Sequence, residues 1–294
     1  SRHVDLSSVL YSHVWQATRA VIACSATMTT GQGASGWTWV KRQLGAPNGA
    51  RVLSVPSPFD FARQALLCLP SGAPDVKEDR EGFDWFVSDT AQILAANAGG
   101  RTLCLFTSTR MAEYTAKLLR ARTRGFKVLC QGDLPRSQLV AEFKRDETSV
   151  LCGTASLWTG VDVQGHACIC VLIDKLPFAP PGDPVMDALC ERAVKRTGQT
   201  FAGFMEESLP RAVLALRQGV GRLIRSVDDW GCVVICDPRL TRKGYGAEIV
   251  RALGMPTRTR SVSEACEWLR RGVRAMGSAS DISNASNARG AVNG

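Results

Sequence analysis

The sequence holds no C-x-x-C pair, and without that spacing a zinc or iron–sulfur site within this chain is not expected. Its eleven cysteines are an odd number in a chain too long to need covalent staples. Most lie inside apolar runs: Cys104 in TLCLF, Cys168 and Cys170 in ACICVLI, Cys232 and Cys236 in CVVIC. There they behave as small buried hydrophobes, as in a reducing cytosol. No stretch approaches ~18 uninterrupted apolar residues, so no membrane-spanning segment and no membrane partner are expected. Ser1-Arg2-His3-Val4-Asp5 has neither an initiator Met nor an apolar signal core, which argues against export and for a fragment of a longer chain. No G-x-G-x-x-G follows a strand, since Gly219-x-Gly221 falls inside an expected helix, which argues against a Rossmann-type cofactor enzyme.

What is present is ordinary for a globular protein: 294 residues, 45% hydrophobic and 21% charged, which excludes global disorder. The length suits one large domain or two modest ones. The net charge of +9, from 36 Lys+Arg against 27 Asp+Glu, fits a polyanionic partner but bears on association rather than on fold.

Short, continuous apolar runs recur at 20–24, 51–55, 65–69, 102–106, 127–130, 149–152, 168–174 and 232–237. Runs of that kind suit strands covered on both faces. Between them lie amphipathic stretches at 82–97, 110–120, 136–145 and 209–225. Strands alternating with helices predict an α/β fold with a parallel sheet, whose sites gather at the carboxyl ends of the strands. Ser54-Val55-Pro56-Ser57-Pro58-Phe59 favours extended chain and reads as a linker. It divides an incomplete piece at 1–55 from a complete domain at 56–255. A C-terminal helix is expected at 256–276, and the small, polar residues 277–294 predict a disordered tail.

The most informative segment is 211–225, RAVLALRQGVGRLIR. In a continuous helix Gln218, Arg222 and Arg225 share one face, with Arg211 a heptad earlier, while Val213, Leu216, Val220 and Leu223 form an apolar stripe behind. Gly219 and Gly221 each cost such a helix roughly 1 kcal/mol relative to Ala, which points to close approach of another backbone or a ligand. Planar guanidinium forks match phosphate oxygens, and an arginine from a second domain can stabilise charge on a transferring γ-phosphoryl group. A solvated arginine face is the plainer alternative.

Gln218-Gly-Val-Gly-Arg222-Leu-Ile-Arg225 resembles motif VI (Q-x-x-G-R-x-x-R) of superfamily 2 helicases. Other signposts follow in order: Ser25-Ala26-Thr27 resembles motif III, Leu105 to Arg110 (LFTSTR) motif IV, and Trp158 to Gly165 (WTGVDVQG) motif V. With Ser57-Pro58-Phe59, Gln131-Gly132-Asp133, Lys175-Leu176-Pro177-Phe178 and Asp237-Pro238-Arg239-Leu240, the set resembles the DinG branch of the DinG/XPD-like DNA helicases over residues 10–255.

That resemblance implies two RecA-like domains that bind ATP in their cleft and single-stranded DNA across their top. The sequence departs from the pattern in having no G-x-x-x-x-G-K-[ST], no D-E-x-H-type box and no four-cysteine cluster motif. It therefore reads as a remnant of the first RecA-like domain followed by all of the second, a parallel sheet flanked by helices. By resemblance Arg222 and Arg225 contact the γ-phosphate, Gln218 orients the nucleotide, and Gly160 and Asp162 lie near the ribose and γ-phosphate. Asp162 is equally a turn residue on local grounds. Ser25, Ala26 and Thr27 would couple ATP to the DNA path, though Ser-Ala-Thr after a strand also reads as a helix cap.

Expected DNA contacts are Thr107, Ser108, Arg110, Gln131, Gly132, Trp158 and Lys175, with Trp158 and Phe178 open between base stacking and core packing. The basic run 120–124 reads as a solvated helix end. ATP and Mg²⁺ are the implied cofactors, held mainly by the first domain; an iron–sulfur cluster would belong to the region upstream. Implied partners are single-stranded and forked duplex DNA and the N-terminal helicase domain, in a cytoplasmic, nucleoid-associated setting. The fragment alone is expected to hydrolyse no ATP. A non-catalytic nucleic-acid-binding RecA-like module and an RNA helicase of the same superfamily are the alternatives.

Overall fold

The structure is a computed structural model and describes residues 5–31, 33–154, 157 and 165–290, the side chains of 34, 165 and 277–290 apart. The chain forms two compact units. One comprises Pro58–Lys175, Gly219–Arg242 and Met255–Gly294, and holds every strand of the sheet. The other comprises Ser1–Ser57, Leu176–Gln218 and Lys243–Gly254 and, among the described residues, is helical and irregular.

Within the first unit the apolar runs become β1 (Ala65–Cys68), β2 (Thr102–Leu105), β3 (Val128–Cys130), β4 (Val150–Gly153), β5 (Cys170–Ile173) and β6 (Gly231–Ile235). A two-residue β7 (Arg258–Thr259), with no apolar signature, completes a seven-stranded sheet in the order β3-β4-β2-β5-β6-β1-β7. All pairings are parallel. Strands β1, β2, β4, β5 and β6 are buried at every position, as continuous apolar runs covered by helices on both faces should be.

The covering helices start and stop where local chemistry directs. Asp79 caps Arg80–Ala98 by accepting from the Gly82 N–H at 2.8 Å, and Gly99, at φ +62°, ends it in the left-handed region. Gly100 follows at φ +82°; a Cβ there would lie 1.6 Å from the Thr148 carbonyl oxygen, so only glycine fits. Ser108 caps Thr109–Arg122, and Arg136–Arg145 matches its expected bounds. The last helix runs Val262–Gly290, past residue 277, where a tail was expected to begin. It docks through Trp268, whose ring stacks on Trp230 at 5.4 Å and whose Nε1 donates to the Gly231 carbonyl at 2.9 Å.

One face of the sheet is lined by thiols. Cys130, Cys152 and Cys104 are register neighbours across β3, β4 and β2, and Cys170 pairs with Cys232 across β5 and β6. They pack with Cys68, Cys236 and Cys266 against Phe83, Val87, Leu94, Met111, Leu119 and Leu269. All eleven cysteines are free thiols, nine of them buried, as their apolar surroundings in the sequence predict. Burial pushes the thiols of Cys68, Cys130 and Cys168 up to about 12, which holds them neutral.

Two sequence expectations fail. Among the described residues no strand forms at 20–24 or 51–55, where Ile22 is 91% and Leu53 79% exposed. An extended apolar run becomes a strand only when a neighbour takes up its backbone N–H and C=O groups, and no described segment does so. The expected helix at 209–225 is shorter too: it spans Leu209–Val220 and then tightens into i to i+3 turns, Arg222 N–H to Gly219 O and Leu223 N–H to Val220 O. Gly219 and Gly221 make that end weak, while burial of Val220, Leu223 and Ile224 directs the chain away from a straight axis. The single continuous helical face expected to carry Gln218, Arg222 and Arg225 is therefore not realised.

The second unit is organised by an aromatic group and an ion network. Phe178, Phe204 and Tyr245 pack at centroid distances of 5.1–6.4 Å, so Phe178 belongs to an aromatic cluster. Pro184–Thr197 is capped by Asp183, which accepts from the N–H groups of Val185 and Met186. Arg42 reaches Glu206 at 2.6 Å and Glu207 at 2.9 Å, and Arg211 joins Glu207 at 2.7 Å with Trp39 beneath it. Arg211 is thus committed to a nearly buried carboxylate and does not extend a row of phosphate-seeking arginines.

Candidate functional site

At the carboxyl end of the sheet, short polar links join the loops of neighbouring strands. The β2 and β5 ladders end at Leu105 opposite Ile173, followed by a final bond from Asp174 N–H to Leu105 O at 3.2 Å. Beyond that point Asp174, fully buried, takes over: its carboxylate accepts from Thr107 N–H at 2.9 Å, Thr107 Oγ1–H at 3.1 Å and Lys175 N–H at 2.6 Å. Lys175 Nζ lies 3.9 Å from the same carboxylate. Desolvation pushes Asp174 up to about 6, with the Lys175 charge and these donors opposing the rise.

The same stitching occurs between β3 and β4. Gln131 Oε1 accepts from Thr154 N–H at 2.8 Å and Oγ1–H at 2.9 Å, and Gly132 turns the chain at φ +107°. At β6, Asp237 is held by the Arg239 guanidinium and N–H. These contacts alter the roles read from the sequence. Thr107 donates its hydroxyl proton to Asp174, Ser108 Oγ accepts from the Met111 N–H as a helix cap, and Arg110 pairs with Asp84 at 2.5 Å. Thr107, Ser108, Arg110 and Lys175 are brought together at the adjoining β2 and β5 ends; Gln131 and Gly132 stand at β3. Trp158, Gly160 and Asp162 lie outside the described residues.

The motif VI arginines sit elsewhere. Arg225 N–H and Ser226 N–H both donate to Asp229 Oδ2, at 2.7 and 2.8 Å. Gln64, immediately before β1, donates from Nε2 to the carbonyls of Ser226, Val227 and Asp229 at 2.8–3.1 Å. The Arg225 backbone is thereby fixed at the amino edge of the sheet, since Gln64 and residues 226–229 lead into the paired starts of β1 and β6. The segment that carries Arg225 therefore stands at the opposite edge from the carboxyl ends, where sites were expected to gather. Partial burial lowers the proton affinity of the Arg222 and Arg225 guanidiniums, with Asp229 opposing the change at Arg225. Both stay cationic, and a half-desolvated guanidinium gains most from an anionic, bidentate partner.

In the second unit Gln218 lies in the last turn of Leu209–Val220, half-buried. Its neighbour Arg217 donates to the Thr29 carbonyl and to Thr29 Oγ1 at 2.7 Å, two residues beyond Ser25-Ala26-Thr27. Ser25 Oγ accepts from Thr27 N–H at 3.2 Å, so the hydroxyl closes a local turn without capping a helix. Sequence reasoning missed Asp174, Asp229, Gln64 and Arg217. The first two had a readable signal, an acid directly after an apolar run (CICVLID) and one just before the next strand. Gln64 and Arg217 had none, because their partners lie more than 160 residues away.

Among the described residues no three His, Cys, Asp or Glu side chains group as a metal site, and no helix is long and apolar enough to cross a membrane. Residues 91–255 match the family described as Helicase C-terminal domain. The chain belongs to that family. It is 41% identical over 220 residues to the ATP-dependent DNA helicase YoaA of Escherichia coli strain K12, covering 75% of this chain and 34% of that relative. It is 37% identical over 276 residues to the ATP-dependent helicase DinG of Mycobacterium tuberculosis strain H37Ra, covering 92% of this chain and 40% of that relative. The chain thus spans between a third and two fifths of the length of these relatives. The DinG/XPD-like resemblance, read from the ordered motifs, holds, and the expected parallel sheet flanked by helices is present in the chain that the Helicase C-terminal domain family matches.

Proposed function

We propose that the chain is the C-terminal part of an ATP-dependent DNA helicase that couples ATP hydrolysis to translocation on single-stranded DNA and to unwinding of duplex and forked DNA. The relatives' names support this reading, and so does the set of motifs. The observation that carries it is the Arg225 loop, a motif VI segment whose backbone is pinned by Asp229 and Gln64 while two partly buried guanidiniums keep their charge. In the proposal Arg222 and Arg225 take the γ-phosphate, Gln218 orients the nucleotide, and Gly160 and Asp162 line the ribose side. Mg²⁺ and the remaining phosphates are held by an N-terminal helicase domain, the partner in which any iron–sulfur cluster would also sit. The loops carrying Thr107, Ser108, Arg110, Gln131, Gly132, Trp158 and Lys175 hold the DNA backbone, and residues 25–27 couple the two events. Repair or replication in the cytoplasm, at the nucleoid, is the setting.

In the intact helicase Arg222→Ala should leave the fold unchanged and lower DNA-stimulated ATP turnover roughly 10³-fold or more. Wild-type turnover in that variant would refute the assignment. The 294-residue chain alone should hydrolyse no ATP, because its sequence lacks a phosphate loop. That same lack favours a second reading, a nucleic-acid-binding module without motor action. Matched strand-displacement assays on DNA and RNA duplexes with the intact protein separate the motor from the module and DNA from RNA.

A further inference from the structure

The Asp174 carboxylate ties the loop after β2 to the loop after β5. Those strands are register neighbours, so their loops leave the sheet side by side, just where the ladder can no longer satisfy backbone N–H groups. The N–H groups of Thr107 and Lys175 would otherwise be unpartnered beside a buried carboxylate. One anion answers both, and takes the Thr107 hydroxyl as well.

We infer that Asp174 is a positioning residue: it holds the Thr107 and Lys175 loops in the arrangement that takes the phosphate backbone of single-stranded DNA. The inference rests on the placing of these loops at DNA under Proposed function. It also reassigns Thr107. A phosphate can only accept hydrogen bonds, and the Thr107 hydroxyl proton is already given to Asp174, so Thr107 shapes the loop. The direct contact falls to Lys175, whose ammonium stays within 3.9 Å of Asp174 and whose side chain remains 25% exposed. Restraint of that flexible stem lowers the entropy lost when a phosphate arrives.

The arrangement depends on the ionised carboxylate, because a protonated one must place a hydroxyl where an acceptor is now used. The charged or titratable groups around Asp174 are few. Among the described residues Lys175 lies on its own loop, and the loop after β2 sets the uncharged Thr107 against the carboxylate. From the β6 side come the Cys236 thiol, held neutral by burial, and Asp237, itself taken up by Arg239. With Asp174 pushed up to about 6, the loops should loosen just below neutrality.

The test compares the intact protein with its Asp174→Asn, Thr107→Val and Lys175→Ala variants. Affinity for a fluorescein-labelled oligothymidylate is read one pH unit either side of Asp174's value of about 6, with hydrogen exchange at 106–110 and 174–178 measured in parallel. Asp174→Asn should bind roughly tenfold more weakly than wild type above that pH, a change equal to about 1.4 kcal/mol. It should lose the wild-type decline below that pH, and exchange faster in both loops while β5 stays protected. Should Asp174→Asn fail to fold, Thr107→Val, which removes one donor and leaves the carboxylate, should still loosen 106–110 and weaken binding. Unchanged exchange or an unchanged pH profile in Asp174→Asn overturns the proposal. If Lys175→Ala weakens binding while Asp174→Asn does not, Asp174 alone falls. If neither affects binding, the loops are not the DNA site and the underlying reading falls with it.

Discussion

Asp229 and Asp174 are both buried acids, and they show how differently a carboxylate can act at a strand end. Asp229 closes a turn on two N–H groups and lies under the Arg225 backbone. Replacing it with alanine leaves both donors without that acceptor and should destabilise the fold by about 1–3 kcal/mol, read as a lower denaturation midpoint. Under the proposed function, the same change should also lower ATP turnover of the intact protein by displacing Arg225. Asp174 is instead a carboxylate that burial makes costly to ionise. Its folded value of about 6 lies above the ordinary 3.8, so the folded state holds the proton more tightly than the unfolded chain does. Stability from this group is complete below the lower value and is lost as pH rises through the higher one, at up to about 1.4 kcal/mol per pH unit. Denaturation midpoints measured across pH 4–6.5 should decline more steeply for wild type than for Asp174→Asn, a window set by those two values. Stability and loop geometry therefore respond in opposite directions to the same proton.

At the scale of elements, segments with clear local signals formed close to where the pattern places them. The strands at 65–68, 102–105, 128–130, 150–153, 170–173 and 231–235 match apolar runs, and the helix at 136–145 matches its amphipathic stretch. The failures have physical causes. The run at 20–24 is as apolar as its counterparts but finds no strand partner among the described residues, and β7 forms on Arg-Thr because β1 offers it an edge. Helix Leu209–Val220 ends early because two glycines meet a buried turn. Ser108, read first as a DNA contact, is the cap of Thr109–Arg122; Ser108→Ala should cost about 1 kcal/mol in thermal or denaturant unfolding. A loss of DNA affinity larger than that loss of stability would show a second role for the hydroxyl.

For the whole molecule, the thiol-lined face of the sheet makes a prediction independent of any ligand. One cysteine, Cys24, is exposed, Cys190 is intermediate, and nine are buried. A thiol reagent should therefore label Cys24 quickly and Cys190 more slowly, and reach the other nine only on unfolding. The labelling rate of those nine should follow global stability. Cys152→Ser, which puts a hydroxyl between Cys104 and Cys130 in the register, should destabilise by about 1–3 kcal/mol and accelerate it. The +9 charge adds a second expectation at this scale: affinity for any polyanion should fall steeply as salt rises, because binding releases condensed counterions.

The order of residue types along the chain was enough to specify a parallel sheet, its burial on both faces, the reduced state of its cysteines and the family to which the motifs belong. These are properties of runs, spacings and short-range caps, all written within a few positions of one another. Which group each side chain would meet was settled by packing. The Thr107 hydroxyl turned to Asp174, and the Gln64 amide to carbonyls more than 160 residues away. Hydrogen bonds reward partners that are close in space and desolvated together, and that proximity exists only once the sheet has assembled.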